Sequence, residues 1–376
     1  MLNNKQRIII AMMDGLDMEY LEQCSMPNFK RMMNDGFFKE VTGVFPSVTN
    51  VNNVSIACGA WPSQHGISAN SYFDTESGKP EYMNSSELIK MPTVFALAKQ
   101  QGIKSALLTS KRKTLELFHK DVEIGIAAEA PTEEDIKKYG KPDDIYSREI
   151  NYWLWEAAVS ILRDEPEIGL IYVHITDYPM HAWGPEKVES AEHLAKLDVL
   201  IGEALETAPD AAFLATADHG MNYKKQCWDL DKLLKEKGIV PRFVLSPERD
   251  YYIVHHRNFT GCSWVWLNDE ADMEPAIEIL KNLNGVEGVM TRSEAAERFN
   301  INPDHIGDLI VNGDRDTMFG EMDVLHEYLP ETYRAHGSLH EMRLPLVAWN
   351  FKGDIPAEEH FKTNFDLTRL LLVEDH

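Results

Sequence analysis

The chain has 376 residues, 44 % of them hydrophobic, enough for a large buried core and a second, smaller domain. Its 61 acidic residues outnumber the 37 basic ones, for a formal net charge of −24. That balance argues against a general nucleic-acid binder or a protein that lies on anionic membranes, since both need a basic face. It leaves room for a small anionic substrate held at a locally positive site.

The N-terminal stretch MLNNKQRIIIAMMDG has an apolar run too short to span a membrane, broken at once by Asp14. No small-residue cleavage site follows it, and no other stretch reads as transmembrane. Cys24, Cys58, Cys227 and Cys262 show no CxxC spacing, so free thiols and a cytoplasmic protein are expected. Nothing in the sequence rules out a homodimer.

Residues 7–13 (RIIIAMM) predict a buried parallel strand, with Asp14-Gly15 at its carboxyl end, the edge where open α/β sheets bind ligands. Residues 26–35 predict a helix that stops at Gly36. A strand over 39–45 leads into Phe45-Pro46-Ser47-Val48-Thr49, and residues 49–60 (TNVNNVSIACGA) predict a short helix with Thr49 near its start. Alone, Thr49 reads as an N-cap. A hydroxyl among the free N–H groups of a helix start is also well placed to lose its proton and to meet an anion.

A helix over 92–101 and a strand over 104–109 follow, ending in Ser110-Lys111-Arg112-Lys113. Three basic residues usually form a solvated face. At a strand's carboxyl end in so acidic a chain they are also candidates for holding an anion. Residues 129–144 predict a polar surface excursion and 146–163 a long helix. The strand over 168–175 delivers Thr176-Asp177-Tyr178-Pro179-Met180-His181, where one helical turn would put Asp177 and His181 on the same face. A helix over 187–206 and a strand over 211–216 lead to Asp218-His219-Gly220, again an acid and an imidazole at a strand end, with a glycine that allows the turn.

From about residue 238 to 320 the texture changes. Strands are expected over 250–254 and 263–267 and a helix over 275–283, a small inserted α+β unit of roughly 80 residues. His255-His256 would face opposite ways in an alternating strand and are read as structural. His336, in a polar glycine-containing loop, precedes a last strand over 344–349.

Asp14, Asp177, His181, Asp218, His219 and His336 thus stand at strand ends or in nearby loops, with Thr49 between them in the chain. Mixed carboxylate and imidazole ligation suits Zn²⁺, with Mn²⁺ or Fe²⁺ as alternatives. Six protein ligands are too many for one catalytic zinc and divide into two sites of three. A two-metal centre suits in-line displacement at phosphorus. No Walker-type glycine loop is present.

The segments PSVTNVNNVSIACGAWPSQHGI, TDYPMHAWGP, TADHGMN and AHG together resemble the alkaline phosphatase superfamily, within it the nucleotide pyrophosphatase/phosphodiesterase branch and, within that, the phosphonoacetate hydrolases. The resemblance implies an α/β fold: an alkaline phosphatase-like core over 1–237 and 321–376, with a mostly parallel sheet flanked by helices, and a cap domain inserted over 238–320. It implies one metal on Asp14, Asp218, His219 and the Thr49 oxygen, and a second on Asp177, His181 and His336. Thr49 would be the nucleophile, Asn52 a donor to a phosphoryl oxygen, and Lys111 with Lys113 the grip on a substrate carboxylate. The implied reaction is cleavage of phosphonoacetate to acetate and phosphate through a phospho-threonine. Two positions depart from the family pattern: Val51 replaces a common proline, and Arg112 lies between the lysines. A phosphodiesterase or phosphatase on the same centre is the alternative. A metal-stabilised binding protein is disfavoured, because nucleophile and ligands are all present.

Overall fold

A computed structural model of the chain describes residues 6–253 and 255–372. The first five residues of the N-terminal stretch considered above lie outside that range. Seven strands, numbered along the chain, form the central sheet: β1 (Ile8–Met12), β2 (Phe37–Thr42), β3 (Lys104–Thr109), β4 (Ile124–Ala127), β5 (Ile168–His174), β6 (Ala212–Thr216) and β7 (Arg343–Trp349). Their spatial order is β2-β7-β6-β1-β5-β3-β4. Five strands from β6 to β4 pair in parallel, and β7 runs antiparallel to both β2 and β6. The mostly parallel α/β sheet expected from the sequence is therefore present.

β1 and β6 are buried at every position. A central parallel strand has both faces covered, which is why RIIIAMM reads as a continuous apolar run and not an alternating one. One helical layer comprises Pro27–Asp35, Glu149–Asp164 and Val188–Thr207; the other contains α1 (Thr49–Cys58), Val94–Gln100 and Asp366–Leu372. All ten residues of α1 are buried, and Gly59 ends it in the left-handed conformation (φ 59°). The polar excursion over 129–144 holds a short helix, Glu133–Tyr139, opened by a Thr132–Asp135 capping box. Among the described residues no helix is long and apolar enough to cross a membrane.

A second, antiparallel sheet has the order Pro241–Leu245, Cys262–Leu267, Leu309–Gly313, Val286–Thr291, with helices Met273–Lys281 and Arg292–Phe299 beside it. One apolar cluster joins its Val265, Leu309 and Val311 to Leu280 and to Leu230, Leu233 and Leu234, from a helix that precedes residue 238. The other joins Trp264, Trp266 and Ile310 to Phe45 of the turn before α1, whose ring stacks on Phe299 at 4.2 Å. The second sheet thereby packs on the turn that presents Thr49.

The strand expected over 250–254 does not form; residue 254 lies outside the described range. Asp250 Oδ1 accepts the backbone N–H groups of Tyr252 (3.1 Å) and Ile253 (3.4 Å), turning the chain back on itself. The segment becomes a loop between the first two strands of the second sheet, and it leans over the edge of the central sheet.

Candidate metal centre

The chemistry-bearing residues gather at the carboxyl ends of the parallel strands: Asp14 after β1, Lys111 after β3, Asp177 after β5, and Asp218 with His219 after β6. Thr49 opens α1, and His336 lies ahead of β7. The cap position of α1 belongs to Val48, and no side chain caps the helix, so the Thr49 hydroxyl is not spent as an N-cap. It lies 3.4 Å from His219 Nε2.

Asp14, Asp218 and His219 present ligand atoms within 4.8 Å of one another. His219 Nε2 is 3.5 Å from Asp14 Oδ1 and 3.4 Å from Asp218 Oδ2. These two carboxylate oxygens are buried and have no hydrogen-bond partner. Buried acceptors facing one another without a donor fit a divalent cation. On the other side, Asp177 Oδ2 meets His181 Nε2 at 2.9 Å and His336 Nε2 at 3.7 Å. Asp177 forms a compact ligand group with His219 and His336, and another with His181 and His255. The His219 and His336 rings stack at 3.6 Å, so the two halves of the centre adjoin.

Three histidines are oriented the same way. His181 Nδ1 lies 2.7 Å from Arg334 O, His219 Nδ1 3.0 Å from Gly220 O, and His336 Nδ1 2.7 Å from Ser47 O. A carbonyl only accepts, so each Nδ1 carries the proton and each Nε2 lone pair faces the carboxylates. This is the tautomer that metal ligation requires and backbone carbonyls commonly fix.

Three carboxylates share this buried space. Burial and the neighbouring charges of Asp14 and Asp177 push the Asp218 carboxyl well above its ordinary value. Burial would also raise Asp177, but the Lys111 ammonium outweighs it and holds that carboxyl well below the usual range. Lys111 Nζ lies 3.2 Å from Asp177 Oδ1 and 3.4 Å from Asp14 Oδ2. Burial works against its charge, yet Asp177 and Asp14 keep the ammonium protonated well above the ordinary lysine value.

Asn52, expected to contact a phosphoryl oxygen, has no free donor. Its Nδ2 donates to Val44 O (2.9 Å), Pro46 O (3.2 Å) and Val48 O (3.3 Å), and its Oδ1 accepts from Val44 N (2.7 Å) and Asn364 Nδ2 (2.9 Å). It anchors the turn instead. Lys113, expected beside Lys111 on a carboxylate, is buried and ion-paired with Asp250. Arg112 leaves the centre untouched: its side chain is half-exposed and pairs with Glu116 one turn on.

His255, read as structural, belongs to the centre. Its Nε2 lies 3.8 Å from Asp177 Oδ1 and its ring 4.6 Å from that of His181. Three further residues were missed. His174 Nε2 reaches Asp14 Oδ2 at 3.2 Å and steadies it; its position at the end of β5, three before Asp177, was the available signal. Glu248 accepts from Asn70 Nδ2 at 3.0 Å, and burial pushes its carboxyl up to about 8. Glu248 and Asp250 gave no sequence signal, because only the fold of the second sheet carries their loop here.

The family model for type I phosphodiesterase / nucleotide pyrophosphatase matches residues 8–339, a span from β1 to just past His336. The chain belongs to that family. The type I phosphodiesterase/nucleotide pyrophosphatase family is a branch of the alkaline phosphatase superfamily, as its resemblance implied. Phosphonoacetate hydrolase from Sinorhizobium meliloti 1021, solved with phosphonoacetate, superposes with a TM-score of 0.86 at 28 % identity, covering 96 % of this chain and 94 % of that one. Murine ectonucleotide pyrophosphatase / phosphodiesterase 5 shares the fold, with a TM-score of 0.69 at 18 % identity over 97 % of this chain and 94 % of that one. Venom phosphodiesterase 2 of Crotalus adamanteus is 27 % identical over 229 residues, 57 % of this chain and 26 % of its own length. The chain spans less than half the length of the curated relatives it matches.

Proposed function

We propose that this protein is a di-metal hydrolase that cleaves the carbon–phosphorus bond of phosphonoacetate to acetate and phosphate. The observation that carries the reading is Lys111: an ammonium held at the edge of the centre, within 3.4 Å of two candidate ligand carboxylates, where a substrate carboxylate would lie. Full-length similarity to a phosphonoacetate hydrolase supports it. Asp14, Asp218 and His219, with the Thr49 oxygen, would hold one divalent ion; Asp177, His181 and His336 would hold the other. Zinc suits this mixed nitrogen and oxygen set. The cap would be residues 238–320, on a catalytic body of 1–237 and 321–376.

When bound, the two ions would supply the positive charge that lowers the pKa of a hydroxyl and neutralises phosphoryl oxygens. Thr49 Oγ1 attacks phosphorus and gives up its proton. The phosphorus–carbon bond breaks, and its electron pair moves to a carbon whose carboxylate shares the charge. Lys111 meets that charge as it develops, which is where electrostatic stabilisation acts on the rate. The carbon takes a proton and leaves as acetate. Water then attacks phospho-Thr49, releasing phosphate and restoring the hydroxyl.

The test is phosphate release by zinc-loaded protein from phosphonoacetate, beside a nitrophenyl phosphodiester and a nitrophenyl monoester. A kcat/KM for phosphonoacetate higher by orders of magnitude is the expected result. Strong diester hydrolysis with none of phosphonoacetate would mean a phosphodiesterase, and would overturn the substrate assignment while keeping the centre.

A further inference from the structure

We propose that His255 is the second group, with Lys111, that grips the carboxylate end of the substrate; this rests on the phosphonoacetate reading above. Both ion-pair partners of Lys111, Asp14 and Asp177, are candidate ligands whose charge bound ions would take up, whereas Lys113 is paired with Asp250, which lies outside that set and keeps its charge matched. His255 has the opposite situation. Its side chain is 8 % exposed, yet neither ring nitrogen has a hydrogen-bond partner. A buried imidazole normally satisfies at least one of them.

The position of the ring shows what it faces. Asp177 turns two different sides outward: Oδ2 collects His181 and His336, while Oδ1 has Lys111 Nζ at 3.2 Å and His255 Nε2 at 3.8 Å. His255 therefore shares its oxygen with the lysine and not with the candidate ligands. The edges of Tyr146 and Tyr178, with ring centroids at 5.7 and 5.8 Å, hold the imidazole in place. A metal-ligand role is the competing assignment, since Asp177, His181 and His255 form a compact group. Together with His336 it would give that ion four protein ligands and close the open position that a catalytic zinc keeps. A neutral N–H beside an ammonium instead makes a two-point cradle for a carboxylate, with one charge-assisted bond from each.

The experiment compares wild type, His255→Ala and His255→Gln, each zinc-loaded, on phosphonoacetate and on a carboxylate-free nitrophenyl phosphate monoester, with metal content measured on every sample. In His255→Ala, KM for phosphonoacetate should rise roughly ten- to hundredfold, the range of one hydrogen bond to a charged group, and well beyond any change on the ester. Metal content should equal that of wild type. His255→Gln keeps an N–H donor and should recover part of the loss. Equal losses on both substrates, an unchanged KM, or loss of one ion per chain would each overturn the inference, the last by making His255 a ligand.

If wild type cleaves the ester but not phosphonoacetate, the functional reading falls, and His255 is then judged by competitive inhibition of ester hydrolysis. Tighter inhibition by phosphonoacetate than by methylphosphonate, lost in His255→Ala, would uphold the grip. The same preference in both proteins would overturn it.

Discussion

Thr49 and Asn52 stand three residues apart in one helix and have opposite duties. The Thr49 hydroxyl makes no cap and lies beside His219, so on the proposed role its removal should take away reactivity and little packing. Thr49→Ala should lower turnover by roughly a thousandfold or more, with metal content and melting temperature nearly unchanged. Normal rates in that variant would remove Thr49 as nucleophile. Asn52 ties Val44, Pro46, Val48 and Asn364 together through five hydrogen bonds. Asn52→Ala strands several buried backbone groups and should cost about 3 kcal/mol in urea unfolding. Full stability with lost turnover would return Asn52 to the substrate. No sequence reading separates these two residues: both are polar and both sit at a helix start. The distinction depends on where the backbone of 44–48 turns, which only the folded turn fixes.

At the scale of elements, the central strands were legible because burial on both faces writes itself as an apolar run, and their ends carried Asp14, Asp177, Asp218 and His219 in plain view. The loop after Pro241–Leu245 was not legible. A strand was expected over 250–254, but Asp250 capturing two backbone N–H groups made a turn, and the turn carries Glu248, Asp250 and His255 to the centre. Local side-chain to backbone bonding displaced the extended conformation there.

A smaller element carries a pH dependence. His65 ends the helix Pro62–His65, accepts Ile67 N at Nδ1 (3.2 Å), and so donates from Nε2 to Ser55 Oγ (2.8 Å). Burial pushes its pKa down to about 3, from an ordinary value near 6.5. A depressed histidine contributes full stability above its unfolded pKa, and that stability is lost as pH falls through 6.5 toward 3. The slope is about 1.4 kcal/mol per pH unit, so between pH 7 and pH 5 wild type should lose about 2 kcal/mol more than His65→Asn. Parallel urea-unfolding curves for the two proteins over that range would refute this account.

For the whole molecule, the centre is a concentration of like charge inside a chain that is already strongly acidic. Asp14, Asp177 and Asp218 are all buried within it. Divalent ions that bind the folded form alone should stabilise it by mass action, about 2.7 kcal/mol for each site at a hundredfold excess over Kd. Calorimetry of chelator-treated protein should show the melting temperature climbing by several degrees on zinc addition, and less with magnesium, which prefers an all-oxygen shell. No shift with any divalent ion would mean that the cluster is not a metal centre.

The place of β7 sets when such a centre comes into being. That strand is the last of the sheet in sequence, yet it lies between β2 and β6 and pairs with both. His336 arrives only shortly before it in the chain. In a growing polypeptide β1 waits for β5 and β6, and β2 cannot join the sheet, nor the second half of the centre gain His336, until residues 336–349 have been made. Closing a loop of some 300 residues is entropically slow, although it adds little to the equilibrium cost. On the proposed roles, a nascent chain carries Thr49 long before it carries the last ligand of the centre.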